Sequence, residues 1–114
     1  MVPHPDLPPA PHGLSPRTAG IWAAITTDYE LDAGQLALLE EALRSLVRAD
    51  QARVIVETEG PVVWDRFKQP RPHPAVGIEK DARGLFARLF REIGLDSSAL
   101  PDSRPPSIPQ RYDD

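Results

Sequence analysis

A mainly α-helical domain, with a small β-hairpin between its second and third helices, is the fold this sequence predicts. Three observations predict it. Apolar residues recur at helical spacings in three separate segments. Each segment opens near a capping residue, and the second and third stop at Gly60 and Gly94. Between them, over residues 61–74, the helical period fails and Val62, Val63, Trp64 and Phe67 suggest two short strands around a turn at Asp65-Arg66.

The first helix opens at Ser15, a suitable N-cap, with Pro16 at the first helical position. Ile21, Trp22, Ile25 and Tyr29 give it one apolar face, and it ends near Tyr29. The second helix is capped by Asp32 and runs to Glu59 before Gly60-Pro61. Its stripe is Leu36, Leu39, Leu43, Leu46, Val47 and Val54. At ~1.5 Å per residue it is roughly 40 Å long, more than a thin domain covers. Asp50 falls on the stripe, where an acid is costly unless paired. Arg53, three residues on, or an arginine of a neighbouring subunit is the expected partner.

In the hairpin segment, Trp64 and Phe67 are expected in the core rather than as stacking platforms. The run Pro70-Arg71-Pro72-His73-Pro74 is expected to end any strand, because proline cannot donate to the ladder. The third helix opens near Pro74 and runs to Ile93, with Ile78, Ala82, Leu85, Phe86, Leu89 and Ile93 on its apolar face. Lys80, Arg83, Arg88 and Arg91 fall within an arc of roughly 140° on the other side. Gly94 is the left-handed cap and Leu95 the apolar residue after it.

The chain has 114 residues and 14 prolines, most of them before residue 17 or after residue 100. Residues 1–14 are therefore expected as a flexible arm, 15–96 as the folded domain and 97–114 as a flexible tail. A core of that size is marginal alone, so partner subunits are a natural source of burial.

Composition narrows the chemistry. With no cysteine, a disulfide, a thiolate zinc site and a cysteine nucleophile are excluded. His4, His12 and His73 are scattered, so no metal site is expected, and His73 reads as a surface residue at a helix start. No glycine-rich phosphate loop follows a strand. No apolar run approaches the ~20 residues of a membrane helix, and the first residues lack a signal-peptide pattern. No membrane association is expected, and the cytoplasm is the expected compartment.

The net charge is −4, but it is unevenly spread. Residues 28–59 hold eight acids and three bases; residues 60–93 hold seven bases and four acids. Glu40 with Arg44, Arg53 with Glu57 and Arg88 with Glu92 are four-residue pairs that support exposed helices. Glu79 is placed to neutralise Arg83. The cations Arg66, Lys68, Arg71, Lys80, Arg83, Arg88 and Arg91 are the candidate phosphate contacts. Trp22, Leu36, Leu39, Leu43, Leu46, Asp50 and Arg53 are the candidate oligomer interface.

The order of these features resembles the small terminase subunits of tailed bacteriophages. The resemblance rests on Leu14-Ser15 opening a helix that holds Trp22, then a long helix with an acidic cap that ends at Gly60. A basic loop, the step His73-Pro74-Ala75-Val76, an Arg- and Leu-rich helix and the ending Ile93-Gly94-Leu95-Asp96 complete it. It implies a non-enzymatic protein, without cofactor, that assembles into a homo-oligomeric ring in the bacterial host cytoplasm. The ring recognises viral double-stranded DNA and recruits and regulates the large terminase subunit, which carries the ATPase and nuclease. Many such proteins have a separate N-terminal helix-turn-helix; here a Pro-rich arm precedes Ser15, so DNA contact falls to the helices and hairpin. Two other classes compete: a small helical protein-interaction module without DNA binding, and a small enzyme built on scattered acids.

Overall fold

The computed structural model describes residues 7–95. The expected tail, 97–114, and the first six residues of the expected arm lie outside them. The order of elements is α1 (Pro16–Asp28), α2 (Ala33–Glu59), β1 (Val62–Trp64), β2 (Pro70–Pro72) and α3 (Pro74–Ile93). The fold is mainly helical, with one two-stranded antiparallel hairpin between α2 and α3.

Both leading helices start on reciprocal caps. The Ser15 hydroxyl accepts from the Thr18 amide at 3.2 Å, and Thr18 Oγ1 accepts from the Ser15 amide at 2.9 Å. At α2, Asp32 Oδ1 accepts from the Gln35 amide at 2.8 Å while Gln35 Oε1 accepts from the Asp32 amide at 3.0 Å. Each box satisfies amides that the first turn of a helix leaves without partners. Gly94 ends α3 in the left-handed region, at φ 74°, where a side chain would strain the backbone.

α2 and α3 lie against each other and are tied at both ends. Gln35 Nε2, at the start of α2, donates to the carbonyl of Ile93 at 3.0 Å. At the other end, His73 Nδ1 accepts from the Ala75 amide at 3.0 Å and so caps α3. That leaves Nε2 to carry the proton and donate to Glu59 Oε1, on the last residue of α2, at 2.8 Å. His73, expected at the surface, has only 12% of its side chain exposed.

The packing differs between the two ends of this helical pair. Trp22, Leu39, Leu43, Leu46 and Ile93 form the core, flanked by Ile21, Ile25, Leu36, Phe86 and Phe90. Burying Leu39 and Leu43, both at 0% exposure, contributes about 1.5–3 kcal/mol each. Along α2 a second buried line, Ala42, Ser45, Ala49 and Ala52, steps by three, four and three residues. With Ala75 and Ala82 buried on α3, these small side chains allow close helix approach but bury little apolar area per residue. The hydrophobic mass therefore sits at the α1 end, and the hairpin end is thin.

Three expectations are corrected by the fold. Residues 7–14 of the expected flexible arm are fastened to α1: Trp22 Nε1 donates to the Pro8 carbonyl at 3.0 Å, and Leu14 packs on the core. An indole N–H that is buried needs an acceptor, and this stretch supplies it. Second, the prolines do not end the strand; Pro70 and Pro72 lie within β2. The ladder pairs Val62 with Pro72, Val63 with Arg71 and Trp64 with Pro70. Asp65 N donates to Gln69 O, and His73 N donates to Pro61 O. In an antiparallel pair, bonded and non-bonded positions alternate, so both prolines occupy non-bonded positions where no N–H is required. Third, the turn is longer than Asp65-Arg66: it spans residues 65–69 and takes Phe67 out of the strand.

Candidate functional site at the hairpin end

Trp64 and Phe67 are not core residues. Each is 68% exposed. Among the described residues no third strand or helix covers the two-stranded ribbon, which leaves its side chains in water. Residues opposite one another in the ladder share a face, as do alternate residues along a strand. Val62, Trp64, Pro70 and Pro72 consequently make one wholly apolar ribbon face, and all four are exposed. Val54 and Ile55 near the end of α2, and Val76 and Ile78 at the start of α3, are exposed as well. The helix ends that meet the hairpin thus continue its apolar character.

The turn itself is built around Asp65. Its Oδ1 accepts from the amides of Phe67 at 2.8 Å and Gln69 at 2.9 Å, and its Oδ2 accepts from Arg71 Nε at 3.0 Å. The Lys68 amide adds a bond to the Asp65 carbonyl at 2.9 Å. The Gln69 amide above all holds this carboxyl below the ordinary 3.8; desolvation opposes it, and Arg71 and then the Phe67 amide lower it further. Lys68 adopts φ 62°, a left-handed conformation that favours glycine or asparagine. The guanidinium of Arg66 lies 5.0 Å from the centre of the Phe67 ring.

The seven candidate phosphate contacts do not form one patch. Arg66, Lys68 and Arg71 cluster at the hairpin, although Arg71 is paired with Asp65 at 3.0 Å. Arg83 is drawn inward: its Nε donates to Glu79 at 3.1 Å, and its Nη2 is buried, 3.5 Å from Asp50 Oδ1. It is a structural cation. Lys80, Arg88 and Arg91 are exposed but strung over roughly 16 Å of α3, at ~1.5 Å per residue. Arg91 lines an apolar cleft with Ile25, Tyr29 and Phe90, at the end of α3 far from the hairpin. Among the described residues no ion pair joins Arg88 to Glu92, whereas Glu40–Arg44 and Arg53–Glu57 form as expected.

The candidate oligomer interface needs a similar correction. Trp22, Leu39, Leu43 and Leu46 are buried within the chain and offer no area to a second copy; Leu36 is half-buried beside them. Arg53 is committed to Glu57. Asp50 does not pair with Arg53. Its Oδ2 accepts from Arg17 Nη1 of α1 at 2.8 Å and its Oδ1 faces Arg83 of α3, so one acid joins three helices of the same chain.

At the opposite end, a cleft of about 690 Å³ lies beside Asp28, Tyr29 and Glu30. Its two threonine hydroxyls, Thr26 and Thr27, donate to carbonyls of α1 at 2.9 and 2.7 Å, which leaves neither threonine set up as a nucleophile. Among the described residues no group of three His, Asp or Glu side chains is placed to hold a metal ion. No described helix is long and apolar enough to cross a membrane. Comparisons with protein-family models, with curated proteins and with solved structures return no match.

Proposed function

We propose that this chain is a non-enzymatic small terminase subunit of a tailed bacteriophage. In this reading it assembles into a homo-oligomeric ring, binds viral double-stranded DNA and serves as the adaptor for a large terminase subunit during genome packaging. The observation that carries the reading is the uncovered apolar surface at the hairpin end. The Trp64 ring, at 68% exposure, leaves roughly 100–170 Å² in water, taking about 150–250 Å² per ring. Val62, Pro70 and Pro72 on the same ribbon face, and Val54, Ile55, Val76 and Ile78 on the adjoining helices, are exposed as well. A second copy of the chain removes the same surface from water. The assembly face is thus the ribbon face with Val54, Ile55, Val76 and Ile78, replacing the leucine stripe of α2.

Charge supports the DNA half of the reading. The turn projects two cations, Arg66 and Lys68, whose charges no acid in the turn consumes, since Asp65 is occupied by Phe67, Gln69 and Arg71. A single copy binds weakly at such a site, and a ring repeats it, which raises avidity without new contacts. Sedimentation with and without duplex DNA at low salt tests both halves. One discrete multimer that carries DNA with it is expected. A multimer that leaves DNA behind instead favours the protein-interaction module, and a monomer that ignores DNA removes the proposal.

A further inference from the structure

The turn of the hairpin holds a combination that self-assembly does not use. Phe67 lies outside the ladder, so it is not part of the apolar ribbon face. It is exposed at the turn, with the Arg66 guanidinium over its ring and Lys68 as its other neighbour. The surrounding backbone is held by hydrogen bonds to Asp65, from the Phe67, Lys68 and Gln69 amides and the Arg71 side chain. Lys68 stands at a left-handed position where glycine is free of strain. Backbone strain of this kind persists where the neighbouring structure imposes it, and it concentrates at working sites. An exposed aromatic ring on a fixed turn between two cations suits a partner that is polyanionic and offers flat apolar surfaces in a narrow groove. Duplex DNA offers both: phosphates along the groove edges and, at a base step that unstacks, base-pair faces. A protein partner would be served by the ribbon face and has no need of cations on both sides of the ring.

We propose that the turn Asp65–Gln69 is a DNA wedge, with Phe67 entering a base step from the minor groove while Arg66 and Lys68 hold the flanking phosphates. The inference rests on the DNA-binding reading above and goes beyond it in naming the groove, the mode and the residue. Apolar side chains of this size insert between base steps and kink the duplex, and the positions they choose are the easily unstacked pyrimidine–purine steps. Preference for a packaging start then comes from deformability rather than from base-edge hydrogen bonds. Arg83, Arg88 and Arg91, far along α3 or held internally, take no part in the wedge.

Duplexes with 2-aminopurine at a single TA step report the insertion as a rise in fluorescence when the base unstacks, and a mobility shift measures binding on the same samples. The full chain is expected to bind and to raise the fluorescence. Phe67→Ala should still bind but lose the rise, and Phe67→Leu, which keeps an apolar wedge, should retain it. Arg66→Ala and Lys68→Ala should each lower the slope of log affinity against log salt by about one unit. Phe67 is largely in water, so its substitution leaves the fold intact, which a melting curve on each variant checks. Binding by the parent without any fluorescence rise, or an undiminished rise in Phe67→Ala, overturns the wedge while DNA binding stands. No binding even at low salt overturns both.

Discussion

Replacing Asp50 by alanine separates an intrachain role from an intersubunit one. Asp50 keeps 34% of its side chain in water and meets two arginines of its own chain. The contact with Arg17 is the shorter, at 2.8 Å, but that arginine is 58% exposed. Exposed pairs contribute about 0.2–1 kcal/mol, because water screens them and both side chains lose freedom. Arg83 is only 34% exposed, and its Nη2 is buried without a hydrogen bond, compensated by charge at 3.5 Å from Asp50 and 3.1 Å from Glu79. Taking Asp50 away leaves that nitrogen with Glu79 alone, at a cost of about 1–2 kcal/mol once partial exposure is allowed for. The sum, about 1–3 kcal/mol, corresponds to a fall in melting temperature of about 5–25 °C for a domain of this size. Calorimetry on Asp50→Ala, Arg17→Ala, Arg83→Ala and the paired variants measures it, with the coupling terms read from the double-mutant cycles. Asp50→Ala should melt early yet keep the parent's mass in light scattering. An unchanged melting temperature, or a loss of assembly with no coupling to Arg17 or Arg83, refutes the three-helix role.

Three further outcomes follow from the packing and the turn. Leu43→Ala, at a fully buried position, should cost about 2–5 kcal/mol and leave a marginal domain largely unfolded by far-UV dichroism. Asp65 has a folded-state pKa below its ordinary 3.8. The carboxylate's support of the turn is therefore complete above the unfolded value and is lost as pH falls through the folded one. Protection of the Phe67 and Gln69 amides, relative to their intrinsic exchange rates, should hold down to about pH 4 and fall below it, whereas Asp65→Asn should weaken the pH dependence. Deleting residues 1–13 removes the Pro8 acceptor of Trp22 and should lower the melting temperature measurably.

Much of the architecture was legible because it depends on local signals. Ser15, Asp32, Gly60 and Gly94 bound helices by satisfying or ending hydrogen-bond ladders within a few residues, and those signals read directly from the chain. What failed was non-local. Asp50 and Arg17 are 33 positions apart, and neither shows from its neighbours which arginine the fold will deliver. The α2 leucines looked available to a partner because the domain is small; in fact α1 and α3 consume them. The line Ala42, Ser45, Ala49 and Ala52 was present at helical spacing, but attention to large apolar residues passes over a seam made of small ones. At Pro70 and Pro72 the general rule against proline in strands gave way to register, because only alternate positions need an N–H. Trp64 and Phe67 were placed in the core on residue type alone. Among the described residues nothing covers them, and that left the most informative surface misassigned.

The central claim is that the ribbon face and adjoining helix ends exist to meet another copy of the chain. Native mass spectrometry of the parent beside a Val62→Ser/Trp64→Ser variant tests it most directly. Both substitutions lie at exposed positions, so the variant should fold and melt like a single parent chain. The parent is expected as one closed multimer and the variant as a monomer. A monomeric parent, or a variant that retains the parent's multimer, contradicts it.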